Sequence, residues 1–235
     1  MNIKKYIPNF ITCLNLFAGC ISCVMAFQGE YLYAALFLYL ASVFDFLDGM
    51  MARLLNAYSK IGKELDSLSD VISFGVAPGF ILFSWMQVIA PDNLFLPYLA
   101  FLIPVSSALR LATFNIDERQ TSSFIGLPTP ANAIFIASLI SYVWLLKEPN
   151  CLSSILSNVW VIVALIVVLS LLLNSSLPMF SLKFKNLTWR DNKTCYIFLI
   201  LSFALLIICQ LAAIPLIIVL FILMSLFLHL IKNRK

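Results

Sequence analysis

Charge is what this chain has least of. Only 11% of its 235 residues are charged while 62% are hydrophobic, against about a quarter and about a half in soluble domains. A water-exposed globular surface is therefore excluded, and a bilayer is the expected solvent. Histidine is nearly missing: His229 stands alone in an apolar run ahead of Lys232 and reads as structural or interfacial. Cys13, Cys20, Cys23, Cys151, Cys195 and Cys209 lie mostly in apolar runs. Cys20 and Cys23 have no second cysteine pair or histidine group to complete a metal site, so the six are expected as buried thiols. The net charge of +4 comes without a basic stripe interleaved with exposed aromatics, which argues against nucleic-acid binding. The 20 phenylalanines read as lipid-facing or packing residues. No internal repeat, low-complexity stretch or loop long enough for a soluble unit is evident, so a single membrane-embedded domain over residues 1–235 is expected.

What is present in quantity is long apolar runs. An α-helix needs about 20 apolar residues to cross roughly 30 Å of hydrocarbon, and the sequence offers eight such segments, near 10–27, 31–49, 67–90, 94–113, 130–146, 155–173, 195–211 and 214–231. Pro215 after a very short connection suits the first turn of the last helix. Positive residues stay on the cytoplasmic side. With both termini inside, that face carries Lys4, Lys5, Arg53, Lys60, Lys63, Arg110, Arg119, Lys183, Lys185, Arg190, Lys193, Lys232, Arg234 and Lys235, and the other face only Lys147. This asymmetry supports an all-α polytopic bundle of about eight transmembrane helices in the cytoplasmic membrane. The first run resembles a secretory signal peptide, but Asn9, Thr12 and Asn15 interrupt it and the charge topology needs it retained.

Acids in or beside a span are costly and mark function. Asp45, Asp48, Glu64, Asp66, Asp70, Asp117, Glu118 and Asp191 fall on the inner side, five of them between 45 and 70. Asp45 and Asp48 are three apart and Asp66 and Asp70 four apart, so each pair shares a helix face. Four gathered carboxylates repel unless a cation neutralises them. Oxygen ligands without histidine or cysteine point to hard divalent ions, Mg²⁺ or Mn²⁺. Two such ions would suit a phosphorylated ligand. Gly49, Ala52 and Gly62 leave room for close approach, and Arg53 sits one turn beyond Gly49 as a clamp for an acid or phosphate. The alternative is that the aspartates pair with Arg53, Lys60 and Lys63 in a solvated interfacial loop.

Residues 45–70 match the pattern D-x2-D-G-x2-A-R-x8-G-x3-D-x3-D at Asp45, Asp48, Gly49, Ala52, Arg53, Gly62, Asp66 and Asp70. The chain thereby resembles the CDP-alcohol phosphatidyltransferase family. Ile7 to Thr12 with Asn15 to Gly19, Asp70 to Pro78, Leu109 to Asn115, Phe124 to Pro130 and Leu177 to Lys183 look like the phosphatidylserine synthase branch. The likeness is good over about 4–135, weak near 174–186 and hydropathic elsewhere. It implies that Asp45, Asp48, Asp66 and Asp70 bind two divalent ions holding the diphosphate of a CDP-linked lipid, with Asp70 also the general base. It implies further that Asn9, Thr12, Asp48, Gly49, Ala52, Arg53 and Gly62 contact the CDP moiety. Many relatives carry arginine where this chain has Asn15, and asparagine is usual in the serine branch. Relatives are often dimers, so a homodimer is expected.

The reaction so implied converts CDP-diacylglycerol and L-serine into phosphatidylserine and CMP, at an interface where membrane lipid and water-soluble substrates meet. A cation is needed for the serine carboxylate. Arg110 is the first candidate, with Asn115 and Arg119 nearby and Ser73 and Phe74 shaping the pocket; Arg110 and Arg119 also read as ordinary topology anchors. Lys183, Lys185, Arg190 and Lys193 would attract anionic headgroups or serve as orientation signals. Competing readings are a sibling using glycerol phosphate, inositol phosphate or choline, for which Arg110 and Arg119 are sparse, and a polyprenyl-diphosphate transferase, which lacks this glycine pattern. A cation transporter would place its carboxylates at mid-bilayer.

Overall fold

A computed structural model describes residues 6–116, 124–146, 151–180, 188–189 and 192–233. Its elements in chain order are α1 (Tyr6–Phe27), α2 (Tyr31–Leu54), α3 (Lys60–Asp70), a π-helical segment (Val71–Val76), α4 (Ala77–Ile89), a 3-10 segment (Leu96–Phe101) and α5 (Leu102–Ile116). They continue with β1 (Phe124–Ile125), α6 (Thr129–Leu145), α7 (Cys151–Leu156), α8 (Val159–Leu173), β2 (Pro178–Met179), α9 (Lys193–Cys209) and α10 (Ala213–Asn233). Among the described residues five stretches are long and apolar enough to cross a membrane: Tyr6–Phe27, Tyr31–Leu54, Lys60–Ile89, Leu96–Ile116 and Lys193–Ile231. Thr129–Leu145 and Val159–Leu173 are shorter apolar helices. The chain is an all-α, multi-pass membrane protein.

The stretch Lys193–Ile231 is a hairpin. Phe198 and Phe221 lie at similar distances in sequence on either side of Gln210, and their rings are 6.1 Å apart; a straight helix would separate them by roughly 35 Å. The reversal occurs at Gln210, whose φ is +49°, and Pro215 falls in the first turn of α10.

Small residues let α1 and α2 pack closely. Ala18, Ser22 and Ala26 on one helix and Ala34, Ala35, Leu38 and Ala41 on the other are buried, and Ser22 Oγ donates to Ala34 O at 2.7 Å, the small-residue contact that apolar surroundings favour. The turn between them is made by Gly29 at φ +79°. Helix α6 runs antiparallel to α2: the Tyr31 and Trp144 rings meet at 5.5 Å, and further along Ile134 shares an apolar groove with Ser42, Val43 and Phe46. Leu38, Phe74, Ile81, Leu82, Met86, Ile136, Ile140, Ile162 and Ile166 are fully buried between the helices.

Helix α3 and α4 form one rod whose π-helical middle has a local cause. Pro78 has no N–H and its ring crowds the carbonyl four residues back, and the ladder widens so that Ala77 N–H bonds Ile72 O, five residues back. Such bulges recur at functional sites. Helix α5 lies antiparallel against this rod: a Cβ on Gly75 would sit 3.1 Å from Ser107 Cβ, and one on Gly79 would sit 3.0 Å from Pro104 Cδ. The β strands form a short antiparallel ladder, Phe124 opposite Met179 and Ile125 opposite Pro178. It ties the entry of α6 to the exit of α8, helped by Leu127 N–H donating to Leu172 O at 3.0 Å.

Three expectations are corrected. The third helix begins at Lys60, not near 67, because Ser59 caps it, its Oγ accepting from Gly62 N–H at 2.9 Å. The second continues to Leu54, not 49. Consequently the aspartates sit one to three turns inside their helices. Of the six cysteines expected as buried, Cys13 and Cys20 are exposed, Cys23 and Cys209 partly so and Cys195 buried, while the side chain of Cys151 lies outside what the structure describes. An apolar run in lipid presents half its side chains outward, so hydropathy does not imply burial in protein. Residues Lys4, Lys5, Asp117, Glu118, Arg119, Lys147, Lys183, Lys185, Arg190, Asp191, Arg234 and Lys235 lie outside the described residues.

Candidate functional site

The two aspartate pairs meet where α2 and α3 converge beneath α1. One carboxylate oxygen from each of Asp45, Asp48 and Asp66 lies within 4.8 Å of the other two. Asp48 is 6% exposed, and its Oδ2 is buried without a hydrogen-bond partner. Asp70 stands one turn deeper, 8% exposed, and its Oδ1 accepts from Asn15 Nδ2 at 3.3 Å.

Hydrogen bonds from α3 and the π-helical segment to α1 fix this arrangement. Ser69 Oγ donates to Thr12 O at 3.2 Å, and Ser73 Oγ donates to Asn15 O at 3.0 Å. Gly19 permits the approach, since a Cβ there would lie 2.8 Å from Ser73 Cα. Ser73 is thus occupied in holding α1, and Thr12 Oγ1 donates to Pro8 O at 3.0 Å.

Two of the three carboxylates, Asp48 and Asp66, border a cavity of about 630 Å³ lined by Pro8, Asn9, Thr12, Asp48, Gly49, Ala52, Ala57, Tyr58, Ser59, Lys60, Gly62, Lys63 and Asp66. That is the size of pockets that engulf nucleotide-sized ligands. Asn9, Thr12, Gly49, Ala52 and Gly62 are therefore brought together as the motif suggests. A Cβ on Gly49 would meet nothing within 4 Å, whereas one on Gly62 would sit 2.9 Å from both Asn9 Oδ1 and Ser59 Oγ. Arg53 does not join them: it is exposed, and its Nε donates back to Gly49 O at 3.0 Å.

Lys63 Nζ donates to Asn115 O at 3.3 Å, and Asn115 Nδ2 donates to Ser67 Oγ at 2.8 Å, so Asn115 ties α5 to α3. These bonds occupy two of the groups that a plain interfacial salt-bridge network would have needed, Arg53 and Lys63. Arg110 is 8% exposed and its Nε has no partner. A residue buried inside α5 is not a solvated topology anchor. Its guanidinium is within electrostatic range of Asp70.

The donor set suits a hard divalent cation: oxygen atoms only, three carboxylates converging, and one buried oxygen awaiting a partner. Sequence reasoning missed Pro8, Ala57, Tyr58, Ser59, Lys60 and Lys63 as cavity walls. Their signal was the short connection between the two aspartate helices, which had to fold over whatever the aspartates hold. It also left unused Thr129 and Asn132, polar residues in an apolar helix, both fully buried and with unpartnered side-chain atoms.

Comparison with known proteins covers the same ground. The profile of the CDP-alcohol phosphatidyltransferase family matches residues 5–172. A Bacillus subtilis protein named CDP-diacylglycerol–serine O-phosphatidyltransferase is 38% identical over 126 residues, 54% of this chain and 70% of that one. A Mycobacterium leprae protein of the same name is 34% identical over 145 residues, 58% of this chain and 47% of its own length. An archaetidylserine synthase of Methanothermobacter thermautotrophicus is 37% identical over 146 residues, 59% of this chain and 61% of that protein. The match thus spans between about half and about two thirds of the length of these relatives.

Proposed function

Since the chain belongs to the CDP-alcohol phosphatidyltransferase family, we propose that it transfers the phosphatidyl group of CDP-diacylglycerol to the hydroxyl of L-serine, giving phosphatidylserine and CMP. The observation that carries this reading is the convergence of Asp45, Asp48 and Asp66 within 4.8 Å, with Asp48 and Asp66 on the wall of a nucleotide-sized cavity. The three relatives described above carry names that differ in the lipid but share serine as the acceptor, and a buried arginine whose Nε lacks a partner suits an amino-acid carboxylate.

Asp45, Asp48 and Asp66, with Asp70, would hold two divalent cations, Mg²⁺ or Mn²⁺, whose charge would offset the negative charge of the diphosphate and of the leaving CMP. Asn9, Thr12, Asp48, Gly49, Ala52 and Gly62 form the CDP pocket, Gly49 and Gly62 by leaving space and Asn9 and Thr12 by offering polar atoms, while Arg53 stays outside it. The Asp70 carboxylate takes the proton of the serine hydroxyl. The freed oxygen forms a bond to the lipid-bearing phosphorus while the bond from that phosphorus to the CMP oxygen breaks, in line and without a covalent enzyme intermediate. Arg110 holds the serine carboxylate; Ser73 and Asn115 act at a distance by fixing α1 and α5 against α3. The site faces the cytoplasm, both termini lie there, and the chain works as one membrane domain within a homodimer.

The test is purified protein in detergent or vesicles with CDP-diacylglycerol and Mn²⁺, offered serine, glycerol phosphate, inositol phosphate or choline in turn. CMP release that depends on serine is expected. Release dependent on another alcohol, with none from serine, would overturn the choice of acceptor.

A further inference from the structure

Ten buried side-chain nitrogen and oxygen atoms lack a partner among the described residues, and half belong to one neighbourhood: Arg110 Nε, Ser107 Oγ, Thr129 Oγ1, and both Asn132 Nδ2 and Oδ1. Unpaired polar atoms in an apolar interior cost free energy, and a set carried by two helices that both pack against the π-helical segment beside Asp70 suits a polar ligand. Asn132 and Ser107 are 0% exposed and Thr129 1%.

Helix registers put these residues at the depth of the aspartates. Along the antiparallel pair α2 and α6, Tyr31 meets Trp144 and Val43 shares a groove with Ile134, so Asn132 falls opposite Phe44, and Thr129 opposite Leu47, between Asp45 and Asp48. Asn132 lies about 200° round α6 from Ile134. Ile134 faces the groove with α2 and Ile214 of α10; Asn132 faces the other way, toward the π-helical segment that follows Asp70. Along α5, Ser107 touches Gly75 and Asn115 bonds Ser67, which brings Arg110 level with the Asp70 end of the same segment. Thr129 and Asn132 from α6 and Ser107 and Arg110 from α5 therefore converge on the segment carrying Asp70. They lie apart from the cavity at Gly49 and Gly62.

We infer that Asn132, supported by Thr129, is a specificity-determining residue that reads the ammonium group of a small zwitterionic acceptor whose carboxylate Arg110 holds. The inference rests on the acceptor reading above. An amide offers an acceptor oxygen to an ammonium and a donor to a carboxylate or hydroxyl, whereas an apolar residue at 132 would select neither. With its two charged groups so held, the acceptor presents its hydroxyl to Asp70.

The experiment compares serine with glycerate, which keeps the hydroxyl and carboxylate but carries an uncharged second hydroxyl where serine has the ammonium, in the CMP-release assay on wild type, Asn132→Ala and Thr129→Val. Losing a hydrogen bond to a charged group corresponds to about a 10- to 100-fold change. Asn132→Ala should raise the serine KM by that factor and shrink the serine-over-glycerate ratio of kcat/KM, with the KM for CDP-diacylglycerol unchanged. Thr129→Val, which conserves volume, should move the same ratio by less, and it carries the test if Asn132→Ala fails to fold. An unchanged ratio in a folded variant, or equal losses with serine and glycerate, overturns the role of Asn132 while the serine reading stands. A wild-type protein that releases no CMP with serine overturns both.

Discussion

Gly49→Ala separates the needs of the fold from those of the ligand. The residue lies inside α2, five residues before its end, and a methyl group there would meet no atom within 4 Å. For the protein alone the change is favourable, because alanine loses less conformational entropy than glycine in a helix, a gain of about 0.5–1 kcal/mol. That same empty space is the cavity wall beside Asp48. If the cytidine diphosphate group occupies it, the methyl overpacks the complex at a cost of about 1–3 kcal/mol, which corresponds to roughly 5- to 150-fold in donor affinity. Thermal unfolding in detergent should therefore rise slightly while the KM for CDP-diacylglycerol climbs and the serine KM stays put. Gly62→Ala supplies the contrast: its methyl would lie 2.9 Å from Asn9 Oδ1 and from the capping Ser59 Oγ. It should weaken the α3 cap by about 1 kcal/mol as well as impair donor binding. A Gly49→Ala protein with unchanged donor KM would refute the placement of the nucleotide in this cavity.

Three further outcomes follow from the same geometry. Asp70→Asn should lower kcat by about 10²- to 10⁴-fold while Mn²⁺ binding, followed by electron paramagnetic resonance, largely persists; full retained turnover would remove Asp70 from proton transfer. Asp48→Ala, which deletes a member of the converging trio, should abolish the Mn²⁺ signal, and chelation of the wild type should stop CMP release until the ion is restored. Gly126→Ala should lower the unfolding temperature through both a φ of +77°, worth about 1–2 kcal/mol, and a Cβ 2.6 Å from Leu173 O; an unshifted melting curve would mean the turn into α6 relaxes freely.

The acidic centre was legible because its signal is local: spacings of three and four fix a helix face, and oxygen-only ligands choose the ion class. The start of α3 was harder, since Lys60, Lys63 and Glu64 look like loop to a hydropathy count, although Ser59 is a good N-cap residue. Ser69 and Ser73 carried no signal for their role, because the carbonyls they bind belong to α1, more than fifty residues earlier. Arg110 read both as a topology charge and as the first candidate for the serine carboxylate, and only burial distinguishes it from a solvated arginine. Asn132 was hidden for a related reason: an asparagine in an apolar helix is conspicuous, but what it faces depends on how α6 is rotated against α2 and the π-helical segment.

The separation of Asp70 from the other three aspartates bears on how one site performs two tasks. A carboxylate surrounded by cations is a weaker proton acceptor than one at the edge of the cluster, because nearby positive charge disfavours taking up another. Asp45, Asp48 and Asp66 converge as ligands do, while Asp70, one turn deeper, has one oxygen oriented by Asn15 and lies within range of Arg110. In-line transfer also needs the attacking oxygen and the leaving CMP on opposite sides of phosphorus. With the donor cavity on the Gly49 and Gly62 side of the trio and the unpartnered polar atoms of Arg110, Thr129 and Asn132 on the Asp70 side, leaving group and nucleophile have separate approaches. The widened turn at Val71–Val76 sits between them. Within it Ser73 bonds α1 while Gly75 packs on Ser107 of α5, so one short segment holds both helices against the rod that carries Asp66 and Asp70.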